Sequence, residues 1–143
     1  MVSIPANAKF ISVATTPIDC ITEALYFEAR NQSKAGQIAV VNVILNRMHH
    51  SAHPDTVCGV VHEVNRKGVA QFSYYSDGKK EVVDDLTSWR EARNIASYVM
   101  HDQVFDITEG STMYHADYVT PKWDLTKIVK VVRIDTHIFY TEK

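Results

Sequence analysis

Ala35-Gly36-Gln37-Ile38-Ala39-Val40-Val41-Asn42-Val43-Ile44-Leu45-Asn46-Arg47-Met48 is apolar on nearly every side once wound into a helix. Such a helix must be enclosed by its neighbours, so this stretch is read as the centre of the fold and the rest as what surrounds it. Asn42 and Asn46 lie one turn apart on it. An unpartnered amide there costs about 1–3 kcal/mol, so each requires a partner. A structural partner is expected for Asn46, beside Arg47, whereas Asn42 is a candidate for contact with a ligand or an acid.

Upstream, Thr16 can cap a helix, Pro17 suits its first position, and Asp19 completes a capping-box-like pattern. Ile18, Ile21, Ala24 and Leu25 then keep a helical period, and the helix is expected to end near Arg30–Asn31. Residues 1–15 lack periodicity and read as an irregular arm. Downstream, residues 49–55 carry three histidines and Pro54 and read as a surface loop, followed by a short helix within Thr56–Val64. The stretch Gln71–Gly78, which ends in Asp-Gly, gives a strand or hairpin signal. Ser88 and Glu91 form a second capping-box pattern for a helix with Trp89, Ala92, Ile95, Ala96 and Val99 on its core face. Thr112–Ala116, Ile128–Ile134 and His137–Thr141 alternate as short antiparallel strands. With helices first and strands late, the class is α+β, in one domain spanning 16–143.

Composition narrows the function. A 143-residue chain with 45% hydrophobic and 22% charged residues is one globular domain. Its 15 basic and 17 acidic residues are mixed along the chain, which leaves no electrostatic footprint for nucleic acid. No apolar run approaches the roughly 20 residues of a membrane span, and Phe10–Val13 is too short for an export-signal core of about 7–15. Synthesis in the cytoplasm, no membrane insertion and a monomeric state are therefore expected. Cys20 and Cys58 are compatible with one disulfide or with two buried thiols.

One acid stands out. At about 100° per residue, Glu28 lies only about 20° around the first helix from Ile21, whereas Glu23 lies near the opposite side. A carboxyl on the apolar stripe loses water and, at a helix C-terminus, meets the negative end of the macrodipole; both effects favour its protonated form. A glycosidic oxygen leaves only after it receives a proton, and such a carboxyl is the usual donor. The competing reading is a buried ion pair between Glu28 and Arg30, Arg47 or another cation.

Six blocks in series carry a resemblance: Tyr26-Phe27-Glu28-Ala29-Arg30; Gly36-Gln37 leading to Ile44-Leu45-Asn46-Arg47; Pro54-Asp55-Thr56-Val57-Cys58-Gly59-Val60-Val61; Gln71-Phe72-Ser73; Tyr114-His115-Ala116; and His137-Ile138-Phe139-Tyr140. Together, over roughly residues 18–141, they resemble the SleB-like cell-wall hydrolases of spores and phages. The resemblance implies a lysozyme-like helical core with a small antiparallel sheet in the C-terminal half. It also implies action on peptidoglycan glycan strands, often as a lytic transglycosylase, with Glu28 as the catalytic acid. Lysozyme-type hydrolysis of the same strands and a silent peptidoglycan-binding module are the alternatives. With no export signal visible, a phage endolysin is expected, released from the host cytoplasm to act in the periplasm or wall.

Gln71 and Ser73 resemble a cleft-lining block whose amide and hydroxyl can hold acetamido groups. Tyr114 and His115 belong to a second such block, and Tyr118, Trp123 and Tyr75 are candidate sugar platforms, whereas Trp89 is read as core. A second acid usually helps hydrolysis, yet no motif singles out Asp77, Asp106, Asp117 or Asp124; Asp77 reads as a turn residue and Asp106 and Asp124 as loop or capping residues. His49, His50, His53 and His62, with Cys58 and Glu63 nearby, lack His-Glu-x-x-His or Cys-x-x-Cys spacing, so neither a metal nor any other cofactor is expected.

Overall fold

A computed structural model describes residues 8–65, 68, 71–102 and 104–143; the first seven residues of the expected arm lie outside it. Helix α1 spans Pro17–Glu28, with the Thr16 hydroxyl accepting the Asp19 N–H at 3.2 Å. Helix α2 spans Lys34–Met48, capped by Ser33, and α3 is the short Val57–Val61, capped by Thr56. Helix α4 covers Leu86–His101. Its cap is Asp85, not Ser88: the Asp85 carboxylate accepts from both the backbone N–H and the hydroxyl of Ser88, at 3.1 and 2.6 Å. Starting there lets Leu86 bury itself against Tyr26 and Val83.

Two further expectations need correction. The arm is not wholly irregular, because β1 (Phe10–Ile11) pairs antiparallel with β2 (Val82–Val83). Nor is Gln71–Gly78 a strand: Ser73–Ser76 form a 3₁₀ turn. Phe72 and Tyr74 are both buried, and the segment folds onto α1 through Tyr74 instead of joining a sheet.

The C-terminal sheet contains β3 (Met113–Ala116), β4 (Ile128–Ile134) and β5 (His137–Glu142), in the order β3-β5-β4 and antiparallel throughout. β4 and β5 are joined by Asp135 and Thr136, with Asp135 at φ +52°. That turn sits on the start of α2: the Asp135 carboxylate accepts from the Ser33 N–H at 3.1 Å and from its hydroxyl. Gly36 makes the approach possible, since a Cβ there would stand 2.6 Å from Asp135 Oδ2. At the other end of α2, Arg47 donates to the Thr112 carbonyl at 2.6 Å, immediately before β3.

The main core joins the four helices through Ile21, Leu25, Val40, Ile44, Val60 and Ala96, and Phe139 packs the sheet on Ala39 and Val43 of α2. Cys20 and Cys58 form a disulfide between α1 and α3. Among the described residues, no helix is long and apolar enough to cross a membrane.

Candidate active site

Every residue of α1 from Cys20 to Tyr26 is buried, because the arm, α3, α4 and the 3₁₀ turn close around it. Glu23 therefore does not face solvent. It is 2% exposed and accepts hydrogen bonds from Ser12 Oγ at 2.6 Å and the Tyr74 phenol at 2.8 Å, with His62 Nε2 at 2.9 Å. Burial alone would raise its pKa, but these contacts and the His62 charge outweigh it and hold the carboxyl below its ordinary range. Glu23 is a buried, fully engaged anion.

Glu28 is the reverse case. It is half-buried at the last residue of α1, and loss of water raises its pKa. The Tyr74 and Ser73 backbone and the Ser73 hydroxyl, 3.5 Å from Oε1, oppose that rise without cancelling it. Among the described residues it has no ion-pair partner. Arg30 instead lies over the Tyr26 ring at 4.1 Å, and Arg47 is turned to Thr112. The last turn of α1 carries no basic residue, so the negative end of the helix dipole also favours the protonated acid.

A cleft of about 330 Å³ opens between the 3₁₀ turn and the C-terminal sheet; Glu28 is not among the residues that line it, and Ser73 and Tyr114 link the two. Gln71 and Phe72 line it on the side of the 3₁₀ turn, Met113, Tyr114, Trp123 and Glu142 on the sheet side, and Arg47 and His53 come from α2 and the loop after it. Tyr114 connects cleft and acid. Burial first, and then the negative charge of Glu28, push its phenol up, while Arg47 pulls it down, so the ring lies in the fields of both. β3 is held in place for this: Asn46 donates to Asp106 at 2.8 Å and to the Ser111 carbonyl at 3.0 Å, just before Thr112.

Of the residues read from sequence as substrate-binding, Gln71, Tyr114 and Trp123 line the cleft and Ser73 touches Glu28. His115 lies behind Trp123, with its ring stacked on Tyr140 and Nε2 2.8 Å from the Tyr140 hydroxyl. Tyr118 is 84% exposed and outside the cleft lining, and Tyr75 stacks on His62. Asn42 is not brought to the cleft: it is 4% exposed and accepts the Ile107 N–H at 3.2 Å. The four aspartates all have structural partners: Asp77 takes the Lys79 N–H, Asp106 fixes Thr108 and Gly110, Asp117 pairs with Arg133, and Asp124 caps Thr126. Sequence reasoning does not single out Arg47, His53, Met113 or Glu142 for the cleft. Arg47 belongs to one of the six family-like blocks, but nothing in the spacing of Glu142 marks it.

The model of the Cell Wall Hydrolase family matches residues 31–140, and the chain belongs to that family. The matched stretch starts just beyond Glu28. Among curated relatives, the chain is 31% identical over 127 residues to a spore cortex-lytic enzyme of Bacillus cereus and 33% identical over 123 residues to one of Halalkalibacterium halodurans. Each match takes in 85% of this chain but only 43% and 34% of the relative, so the chain spans less than half of their length. Two solved structures resemble it over nearly their whole extent. One is the catalytic domain of the germination-specific lytic transglycosylase SleB from Bacillus anthracis, with TM-score 0.61, 27% identity, and coverage of 88% of this chain and 94% of that one. The other is the catalytic domain of Bacillus cereus SleB, with TM-score 0.63, 26% identity, and coverage of 90% and 94%. The lysozyme-like α+β architecture is shared with these domains.

Proposed function

We propose that this chain cleaves the glycan strands of peptidoglycan as a monomeric lytic transglycosylase, with Glu28 acting first as acid and then as base. The observation that carries the reading is a half-buried carboxyl, raised in pKa and free of any ion pair among the described residues, linked through Ser73 and Tyr114 to a cleft lined by Gln71, Tyr114 and Trp123. The similar domain from Bacillus anthracis, itself a germination-specific lytic transglycosylase, supports the same reaction.

Glu28 donates its proton to the glycosidic oxygen as the bond from the muramyl C1 breaks. The resulting carboxylate then takes the proton from the 6-hydroxyl of the same sugar while that oxygen attacks C1, which closes an anhydro ring and restores the acid. No second carboxylate is required, in keeping with the structural engagement of Asp77, Asp106, Asp117 and Asp124. Gln71 and Ser73 would hold polar substituents of the sugars, and Trp123 and Tyr114 their faces.

The Cys20–Cys58 disulfide supports work outside the reducing cytoplasm. The reading extends to a phage lysin: residues 1–143 expressed in a Gram-negative cytoplasm should leave cells intact until the inner membrane is permeabilised. Mass spectrometry of digested sacculi tests the chemistry. Anhydro-muramyl ends are expected. Reducing ends would mean hydrolysis, and intact sacculi with retained binding would mean a silent module.

A further inference from the structure

The loop after α2 and the end of β5 bring together donors that the proposed reaction does not use. His50 and His53 belong to the loop and Glu142 to β5, and one ligand atom from each lies within 4.8 Å of the other two. His53 Nε2 is 2.9 Å from Glu142 Oε2. The other ring nitrogen, Nδ1, is buried with no hydrogen-bond partner, and Glu63 Oε2 lies 3.5 Å from it. The His53 side chain is 10% exposed, whereas Glu142, at 23%, borders open clefts on two sides.

We propose that His50, His53 and Glu142 bind a divalent transition-metal ion, zinc by donor type, which clamps the loop after α2 to the last strand at the rim of the cleft. Two imidazoles and a carboxylate are a donor set that suits zinc and leaves a coordination position for water. A metal-bound histidine ordinarily donates its second N–H to a carboxylate, and Glu63 stands where that partner of His53 belongs. Uptake exchanges three contacts for coordination: the His53–Glu142 hydrogen bond, the Thr112 hydroxyl on Glu142 Oε2, and the Ala52 N–H on His50 Nδ1. The site escapes sequence reading because Glu142 lies 89 residues from His53.

The test is titration of untagged, chelator-stripped protein with zinc by calorimetry, repeated with cobalt(II) and read by its visible absorption. One equivalent per chain, a four-coordinate cobalt spectrum and a higher Tm are expected. His50→Ala and Glu142→Gln should abolish saturable binding, and Glu63→Gln should weaken it about 10–100-fold. His50→Ala is the safer variant for folding, and its metal-free Tm should match that of the parent. Absence of saturable binding by either ion, or unchanged affinity in His50→Ala, overturns the proposal. Because the readouts are binding, absorption and Tm, they are independent of whether Glu28 cleaves glycan.

Discussion

Tyr74 donates its phenol to Glu23 at 2.8 Å, and its ring stacks on Phe27 at 5.0 Å, one residue from Glu28. The two glutamates of α1 are therefore linked through one side chain: Glu23 fixes Tyr74, and the backbone of Ser73 and Tyr74 faces Glu28. Tyr74→Phe removes one of the donors to a buried carboxylate and should cost about 1–3 kcal/mol in urea unfolding. Activity should fall as well, because the turn beside the acid loosens. A variant with parental stability and turnover would detach Glu23 from the site.

Glu28→Gln should remove wall-lysing activity while the fold is kept. Its stability should rise by about 0.5–2 kcal/mol, since an acid kept dry for function is costly to bury once charged. Turbidity loss of wall suspensions and thermal unfolding measure the two effects.

The pH profile follows from the sign of the shift. Burial raises the Glu28 pKa above its ordinary 4.5, so activity that needs the proton persists below the raised value and declines as pH rises through it. The stability contribution has the same sign, present at low pH and lost between the ordinary and the raised value. Glu23 has the opposite sign: its contribution holds above its unfolded pKa and is lost as pH falls through the lowered folded one. Unfolding of the parent and of Glu28→Gln compared from acid to neutral pH separates the two contributions; a parental kcat/KM that shows no decline on the basic side would refute the assignment.

Reduction of the Cys20–Cys58 bridge, 38 residues apart in sequence, releases a loop constraint worth about 3–4 kcal/mol. A clear drop in Tm with dithiothreitol is expected, and none in Cys20→Ala/Cys58→Ala, whose Tm should already be low.

Trp123→Ala should raise KM for glycan by about 2–10-fold, the value of one aromatic contact, with kcat little changed. A pure kcat loss would move Trp123 from holding the sugar to organising the acid.

Much of the fold is legible in the sequence because helix periods and caps are local. Thr16 and Pro17 begin α1 where expected, and the three late strands fall within a residue or so of their alternating runs. The partial burial of Glu28 and the rise in its pKa follow from its angular place on α1. Glu23 is misread because an angle on one helix says which way a side chain points but not what stands there; the arm, α3 and the 3₁₀ turn cover the far side of α1. Gln71–Gly78 fails for the same reason, since its aromatic alternation serves burial of Phe72 and Tyr74 against helices, not pairing. Asn42 satisfies its need for a partner with the backbone of Ile107, a contact 65 residues away.

The sheet is fastened to α2 at two points: the Asp135 turn at Ser33 and the Thr112 carbonyl at Arg47. A plate bolted to both ends of one rod cannot swing like a door on a single hinge. On the proposed function, the gap thus keeps its width when empty, and a glycan chain entering it would spend little of its adhesion on reshaping the walls.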